Sequence, residues 1–198
     1  MVKNKFFYAV NTAMLLIFIL FWGMMAFIFG LHYVEKNYIY PLEHKQIVFE
    51  CADYYGLDRA LVFAVIKTES SFLQDAESHA GAIGLMQITP RTGEYIAKKL
   101  KMEEYDLNDE YTNVFFGCFY LKYLIDKFKI LETAICAYNA GEGNVSLWLS
   151  NPEYSLDGET LSAIPFKETK EYLKKICKSY KKYRKLYGNI LDKNKNFS

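Results

Sequence analysis

The sequence predicts an all-α protein: one N-terminal membrane-spanning helix followed by a helical domain over residues 45–186. Three observations carry this. Phe6 to Leu31 is apolar throughout, interrupted only by Asn11 and Thr12. The remaining chain repeats its apolar residues at helical spacing, with N-cap and stop residues between the repeats. Alternating, β-branched runs of the kind that make strands are scarce; only Gly84 to Ile88 reads as a short extended, hairpin-like piece.

The N-terminal run of 26 residues spans about 39 Å as a helix, enough to cross a bilayer with some tilt. A cleavable leader has a shorter apolar core and a small-x-small cleavage site. This run ends Phe27-Ile28-Phe29-Gly30-Leu31, so it reads as an uncleaved signal anchor. Lys3 and Lys5 precede it and place the N-terminus in the cytoplasm, with the following domain outside. No cysteine follows closely enough to serve as a lipid-attachment site.

Residues 1–35 form the cytoplasmic end and anchor, and 36–44 a linker. In the domain, Ile47, Val48, Cys51, Ala52 and Tyr55 share a helical face that Gly56 ends. Asp58 caps a helix from Arg59 to about Ser70, and Thr89-Pro90 opens another that runs to about Leu100. Asn108 or Asp109 starts a long helix through Phe128, apolar nearly all round at 114–121 and hence expected as the central buried helix. Further helices are expected over Leu131 to Asn139, Gly143 to Leu149 and Phe166 to about Leu186, with a polar loop at 150–163 and a disordered tail at 187–198.

The net charge is +1, but Lys167 to Ser198 carries eleven Lys and Arg against three Asp and Glu. Such a run reads first as a solvated helix face, and alternatively as a contact for anionic wall polymer or an anionic membrane surface. Nucleic acid is a poor partner for a domain outside the cell. Cys51, Cys118, Cys136 and Cys177 lie in apolar helical stretches without Cys-x-x-Cys or zinc spacing, so they are expected as buried free thiols. Three histidines and no ligand cluster indicate no metal site.

Candidate chemistry begins with Glu69. It ends an apolar helix, and a carboxyl against an apolar wall is disfavoured as an anion, which raises its pKa towards that of a neutral-pH proton donor. Read alone, it is better explained as an ordinary surface glutamate near a helix end. Gly84 permits close backbone approach, Met86 offers a soft apolar surface or simply packs in the core, and Gln87 can donate to and accept from sugar groups. Glu168, at a helix start, reads as a carboxylate favoured by the helix N-terminus.

The ordered set Leu61 to Phe72 with Glu69-Ser70, Gly84-Leu85-Met86-Gln87-Ile88, Ala137-Tyr138-Asn139-Ala140-Gly141 and Ile164 to Tyr172 resembles the catalytic domain of the soluble-lytic-transglycosylase type of lytic transglycosylases. The resemblance covers roughly residues 45–185 and implies a goose-lysozyme-like fold. It implies that Glu69 is the sole catalytic acid and base. Ser70, Ser78, Gly84, Met86, Gln87, Tyr138, Asn139, Glu168 and Tyr172 become substrate-binding candidates, with the Tyr138 hydroxyl pointing towards the acid. Asp106, Asn113, Gly117 and Leu121 fit the family's long central helix in a structural role. Two positions depart from the pattern: His79 and Glu142 stand where proline is common.

The implied substrate is the glycan strand of peptidoglycan. The implied reaction cleaves the bond between N-acetylmuramic acid and N-acetylglucosamine without water, leaving 1,6-anhydro ends, and needs no metal or organic cofactor. The rivals are a hydrolytic muramidase of the same fold, which needs a carboxylate to position water, and a non-catalytic anchored glycan-binding protein. A single anchor without a lipid-attachment cysteine suggests a Gram-positive bacterium.

Overall fold

The computed structural model describes residues 2–192, with side chains from residue 11 onward except residue 13. It divides into two compact units, residues 1–41 and 42–198. The first is helix α1 (Val2–Val34), continued by a wider π-helical turn over Glu35–Ile39. Thus part of the expected linker is helical. Among the described residues, one helix is long and apolar enough to cross a membrane, Met14–Ile39.

The second unit contains α2 (Lys45–Tyr54), α3 (Arg59–Glu69), α4 (Pro90–Leu100), α5 (Glu110–Phe128), α6 (Leu131–Ala140), α7 (Glu142–Leu149) and α8 (Lys167–Leu191). The starts of α3, α4 and α5 follow their capping residues. Asp58 accepts from Ala60 N at 2.8 Å, Thr89 from Thr92 N at 3.2 Å and Asp109 from Thr112 N at 2.8 Å. Each removes one orphan donor from a helix N-terminus, worth about 1 kcal/mol.

Two expectations about the helices need correction. The helix buried on every side is α3, where Ala60 through Ile66 are all buried, rather than α5. Its alanines let neighbours approach closely. In α5, by contrast, Phe115, Phe119, Tyr120 and Tyr123 are only half-buried and Tyr111 is exposed. Helix α5 packs against α2, α4 and α6, while α8 lies across α3 and α6. The second correction concerns the C-terminus. Helix α8 continues to Leu191, because Tyr187 and Leu191 remain on its buried face with Ile176 and Tyr183. Of the tail expected to be disordered, residues 187–191 are helical and 193–198 lie outside the described residues.

Between α3 and α4 the chain makes no regular strand. Residues 84–87 form a tight turn closed by a bridge between Ile83 and Ile88, with a second bridge from Glu77 to Ile83. The stretch expected to be extended is therefore mostly turn. All four cysteines are free, with Cys51, Cys118 and Cys136 buried and Cys177 half-buried. Burial pushes the Cys51 and Cys136 thiols up to about 12.

Candidate functional site

Glu69 is the last residue of α3 and is half-buried. The helix that carries it is wholly apolar on its inner side, so the carboxyl is brought to the edge of the core. Tyr172, on the buried face of α8, donates its hydroxyl to Glu69 Oε1 at 2.6 Å. Burial pushes the Glu69 carboxyl up to about 7; the Tyr172 hydrogen bond opposes this, and the negative charge of Glu168 adds to it. Glu69 therefore titrates in the range where one group can both give and take a proton at neutral pH.

Glu168 is exposed on the first turn of α8, and its field reaches Glu69. Tyr138 on α6 donates to the backbone carbonyl of Met86 at 2.9 Å rather than to the acid. Its phenol is held well above its usual range by burial and by the charge of Glu69, which places the two groups within electrostatic reach. The tyrosine that bonds the acid is thus Tyr172, and Tyr138 braces the turn beneath it.

The other expected cleft residues are largely engaged within the protein. Ser70 Oγ donates to the Leu85 carbonyl at 2.9 Å and lies near the Ile66 carbonyl at 3.2 Å, while accepting from Phe72 N at 3.1 Å. It staples the end of α3 to the Gly84–Gln87 turn. Met86 is fully buried and packs against Gly117, where an added Cβ would fall 2.3 Å from Met86 Sδ. Here the core-packing reading of Met86 holds. Gln87 adopts φ +49° and donates to the Ala76 and Gly84 carbonyls, both at 3.0 Å. Ser78 Oγ accepts from Ala82 N at 3.0 Å within its own loop.

Asn113 organises this turn. Its amide donates to the Ile83 and Leu107 carbonyls at 2.8 Å, and its Oδ1 accepts from Met86 N at 2.8 Å. Gly84, at φ +77°, passes so close that a Cβ there would stand 2.3 Å from Asn113 Nδ2. The close approach expected of Gly84 is therefore made to a protein side chain. Asn139 accepts from Thr169 Oγ1 at 2.6 Å. Thr169 was not anticipated. It lies three residues before Tyr172, and that helical spacing was the available signal for it.

Next to this cluster, across the Tyr120 ring that packs 5.6 Å from Tyr138, is a cavity of about 790 Å³. Arg91, Tyr95, Tyr120, Glu142, Asn144 and Leu147 are among its walls. Glu142 accepts from Tyr123 at 2.8 Å and from Lys127 at 2.6 Å. Burial pushes its carboxyl up, but those two hydrogen bonds and the Lys127 charge outweigh it and hold it below its usual value.

Residues 46–160 match the transglycosylase SLT domain. The chain belongs to this family. The soluble lytic murein transglycosylase of Escherichia coli K12 is 31% identical over 158 residues, spanning 76% of this chain and 24% of that protein. The membrane-bound lytic murein transglycosylase C of Haemophilus ducreyi is 30% identical over 166 residues, spanning 71% of this chain and 45% of that one. Among solved structures, an inactive Glu-to-Gln mutant of the lytic transglycosylase Slt from Pseudomonas aeruginosa superposes with a TM-score of 0.66 at 27% identity, over 79% of this chain and 26% of that one. The chain thus spans about a quarter to a half of the length of these relatives. Tyr172 and Thr169 lie beyond the residues matched to the SLT domain, yet α8 brings them into the same cluster as Glu69 and Asn139.

Proposed function

We propose that the protein is a membrane-anchored peptidoglycan lytic transglycosylase in which Glu69 acts first as acid and then as base. The observation that carries this reading is the Glu69 carboxyl itself: half-buried, bonded by a tyrosine and raised to about 7. Membership of the SLT domain family and relatives named as lytic murein transglycosylases support peptidoglycan as the substrate class. The inactivity of a Glu-to-Gln mutant of a structural relative fits a reaction that depends on one glutamate.

In this reading, protonated Glu69 gives its proton to the oxygen linking N-acetylmuramic acid to N-acetylglucosamine, and the C1–O bond breaks. The N-acetyl carbonyl oxygen of the muramyl residue bonds to C1 and disperses its positive charge as an oxazolinium. Glu69, now a carboxylate, takes the proton of the C6 hydroxyl, whose oxygen displaces the carbonyl oxygen at C1. The proton returns to Glu69, the product is a 1,6-anhydro end, and no water is consumed. The Tyr172 hydroxyl stabilises the carboxylate stage by donating to it. Ser70, Gly84, Met86 and Gln87 act through the shape of the turn beside the acid, and Ser78 through its loop. Tyr138, Asn139 and Glu168 remain the candidates for sugar contact.

The helix Met14–Ile39 is proposed as a single-pass anchor with the N-terminus in the cytoplasm, holding residues 42–198 outside the cell next to the wall. A relative named as membrane-bound is in keeping with this.

Hydrolysis has one specific observation in its favour. Glu168 is a second carboxylate whose field reaches Glu69, and an exposed carboxylate there could position a water. Mass spectrometry of muropeptides released from purified peptidoglycan separates the two. Anhydro-muramyl products, lost in Glu69→Gln and retained in Glu168→Gln, support the transglycosylase. Reducing muramyl ends that require Glu168 establish a muramidase, and glycan binding without release establishes an anchored binding module.

A further inference from the structure

Six of the eight lysines of α8 fall in one row, with Lys175 and Lys182 beside it. Lys167, Lys170, Lys174, Lys178, Lys181 and Lys185 follow one another at intervals of three or four residues and are all exposed. That spacing sets them in one row along a single face, about 27 Å long at 1.5 Å per residue. The opposite face, with Thr169, Tyr172, Ile176, Ser179 and Tyr183, is buried. Two acids share the N-terminal part of the helix: Glu168, and Glu171, which pairs with Lys174 at 2.8 Å. The whole chain has 24 basic against 23 acidic residues, so the row is a local concentration of charge rather than a property of the surface at large.

We infer that this lysine row docks on the anionic phospholipid surface of the membrane that holds the chain. The inference rests on the anchor reading above, which supplies the partner. The apolar helix ends at Ile39 and the second unit begins at Leu42, so the chain itself keeps the domain beside a lipid surface. A wall polymer would have to come from elsewhere. Each lysine near such a surface contributes about 1 kcal/mol, a factor of about five, and the effect fades within the Debye length of about 8 Å at physiological salt. Thr169 and Tyr172 sit on the other side of the helix. Docking therefore turns Glu69 and its neighbours away from lipid and towards the wall.

The test uses the full chain in vesicles of neutral phosphatidylcholine, alone or with about one-third phosphatidylglycerol. A membrane-impermeant amine reagent is followed by mass spectrometry at Lys170 and Lys174, with Lys98 and Lys101 on α4 and its C-terminal cap as internal references. The expected result is labelling of the α8 amines about fivefold lower in the anionic vesicles, recovered at about 1 M salt. Lys178→Glu combined with Lys181→Glu removes the protection, whereas Lys98→Glu with Lys101→Glu keeps it. Equal labelling in both lipids, with the chain still floating with the vesicles, overturns the inference and leaves the anchor intact. Protection produced by added poly(glycerol phosphate) but not by anionic lipid also overturns it, in favour of a wall polymer. Failure to float with neutral vesicles removes the anchor and the inference together.

Discussion

Two glutamates, each bonded by a tyrosine, end up with opposite electrostatics. Glu69 receives the Tyr172 hydroxyl and is raised to about 7; Glu142 receives the Tyr123 hydroxyl and is held low. Burial pushes both upward. Glu69 is the more deeply buried of the two, and beyond burial a cation and a like charge separate them: Lys127 is bonded to Glu142, while among the described residues the charged group that adds to the shift at Glu69 is Glu168. Deep burial makes Glu69 a proton donor at neutral pH, whereas the Lys127 cation keeps the shallower Glu142 an anion, and the tyrosine alone does not decide the matter.

Removing the acid is the sharpest way to test that contrast. Glu69→Gln is expected to lower glycan release by at least about 100-fold, whereas Glu142→Gln leaves release within a few-fold of wild type. Release assays on purified peptidoglycan check both. If the two variants lose activity equally, the assignment of roles fails.

Tyr172→Phe tests the hydrogen bond. Because Tyr172 favours the carboxylate, its loss raises the Glu69 pKa further. An acid catalyst is active while protonated, so the alkaline limb of the pH–rate profile, near 7 in the wild type, should move up in the variant. A limb that moves down, or stays fixed, shows that another group sets it.

The same raised pKa has a consequence for stability. The unfolded glutamate loses its proton near 4.5 and the folded one near 7, so the fold is progressively penalised as pH rises between these values. The gap corresponds to about 3 kcal/mol above pH 7. Glu69→Gln should therefore melt several degrees higher than wild type at pH 8 and at about the same temperature at pH 4. Thermal scans across this pH range check it; a variant that is less stable at every pH contradicts it.

A packing change gives a smaller effect that bears on the turn. Gly117→Ala places a methyl where Met86 now lies and is expected to cost about 1–3 kcal/mol, read by denaturant unfolding. The smallest effect is expected at the other carboxylate. Lys127→Met removes a pair whose members are over a third exposed, so it should cost at most about 1 kcal/mol. Burial then prevails at Glu142, whose pKa should rise in an NMR titration while the alkaline limb set by Glu69 stays in place.

Much of this is legible in the sequence. Asp58, Thr89 and Asp109 each cap a helix as their positions along the chain indicate, and the apolar run from Leu61 to Ile66 leads to a glutamate at a helix end. The site was legible as a set of residues but not as a set of roles. Ser70, Gly84, Met86 and Gln87 belong to the motifs, yet their hydrogen bonds and packing are spent on building the turn. Hydroxyls and amides that could bind a sugar could equally bind a carbonyl, and only their neighbours in space choose between the two. The role of Thr169 is hidden in the sequence for the same reason, since its partner Asn139 is thirty residues away.

Local rules acting over a few residues, such as caps, stops and apolar spacing, were enough for the sequence to determine the helices, their order and the long apolar N-terminal segment. They also determined that one glutamate would stand at the end of an apolar helix. Tertiary structure alone decided which tyrosine bonds that glutamate, which helix is buried on every side and how far α8 extends. Those outcomes depend on contacts between residues as far apart as Glu69 and Tyr172, where burial and charge are set by packing rather than by neighbours along the chain.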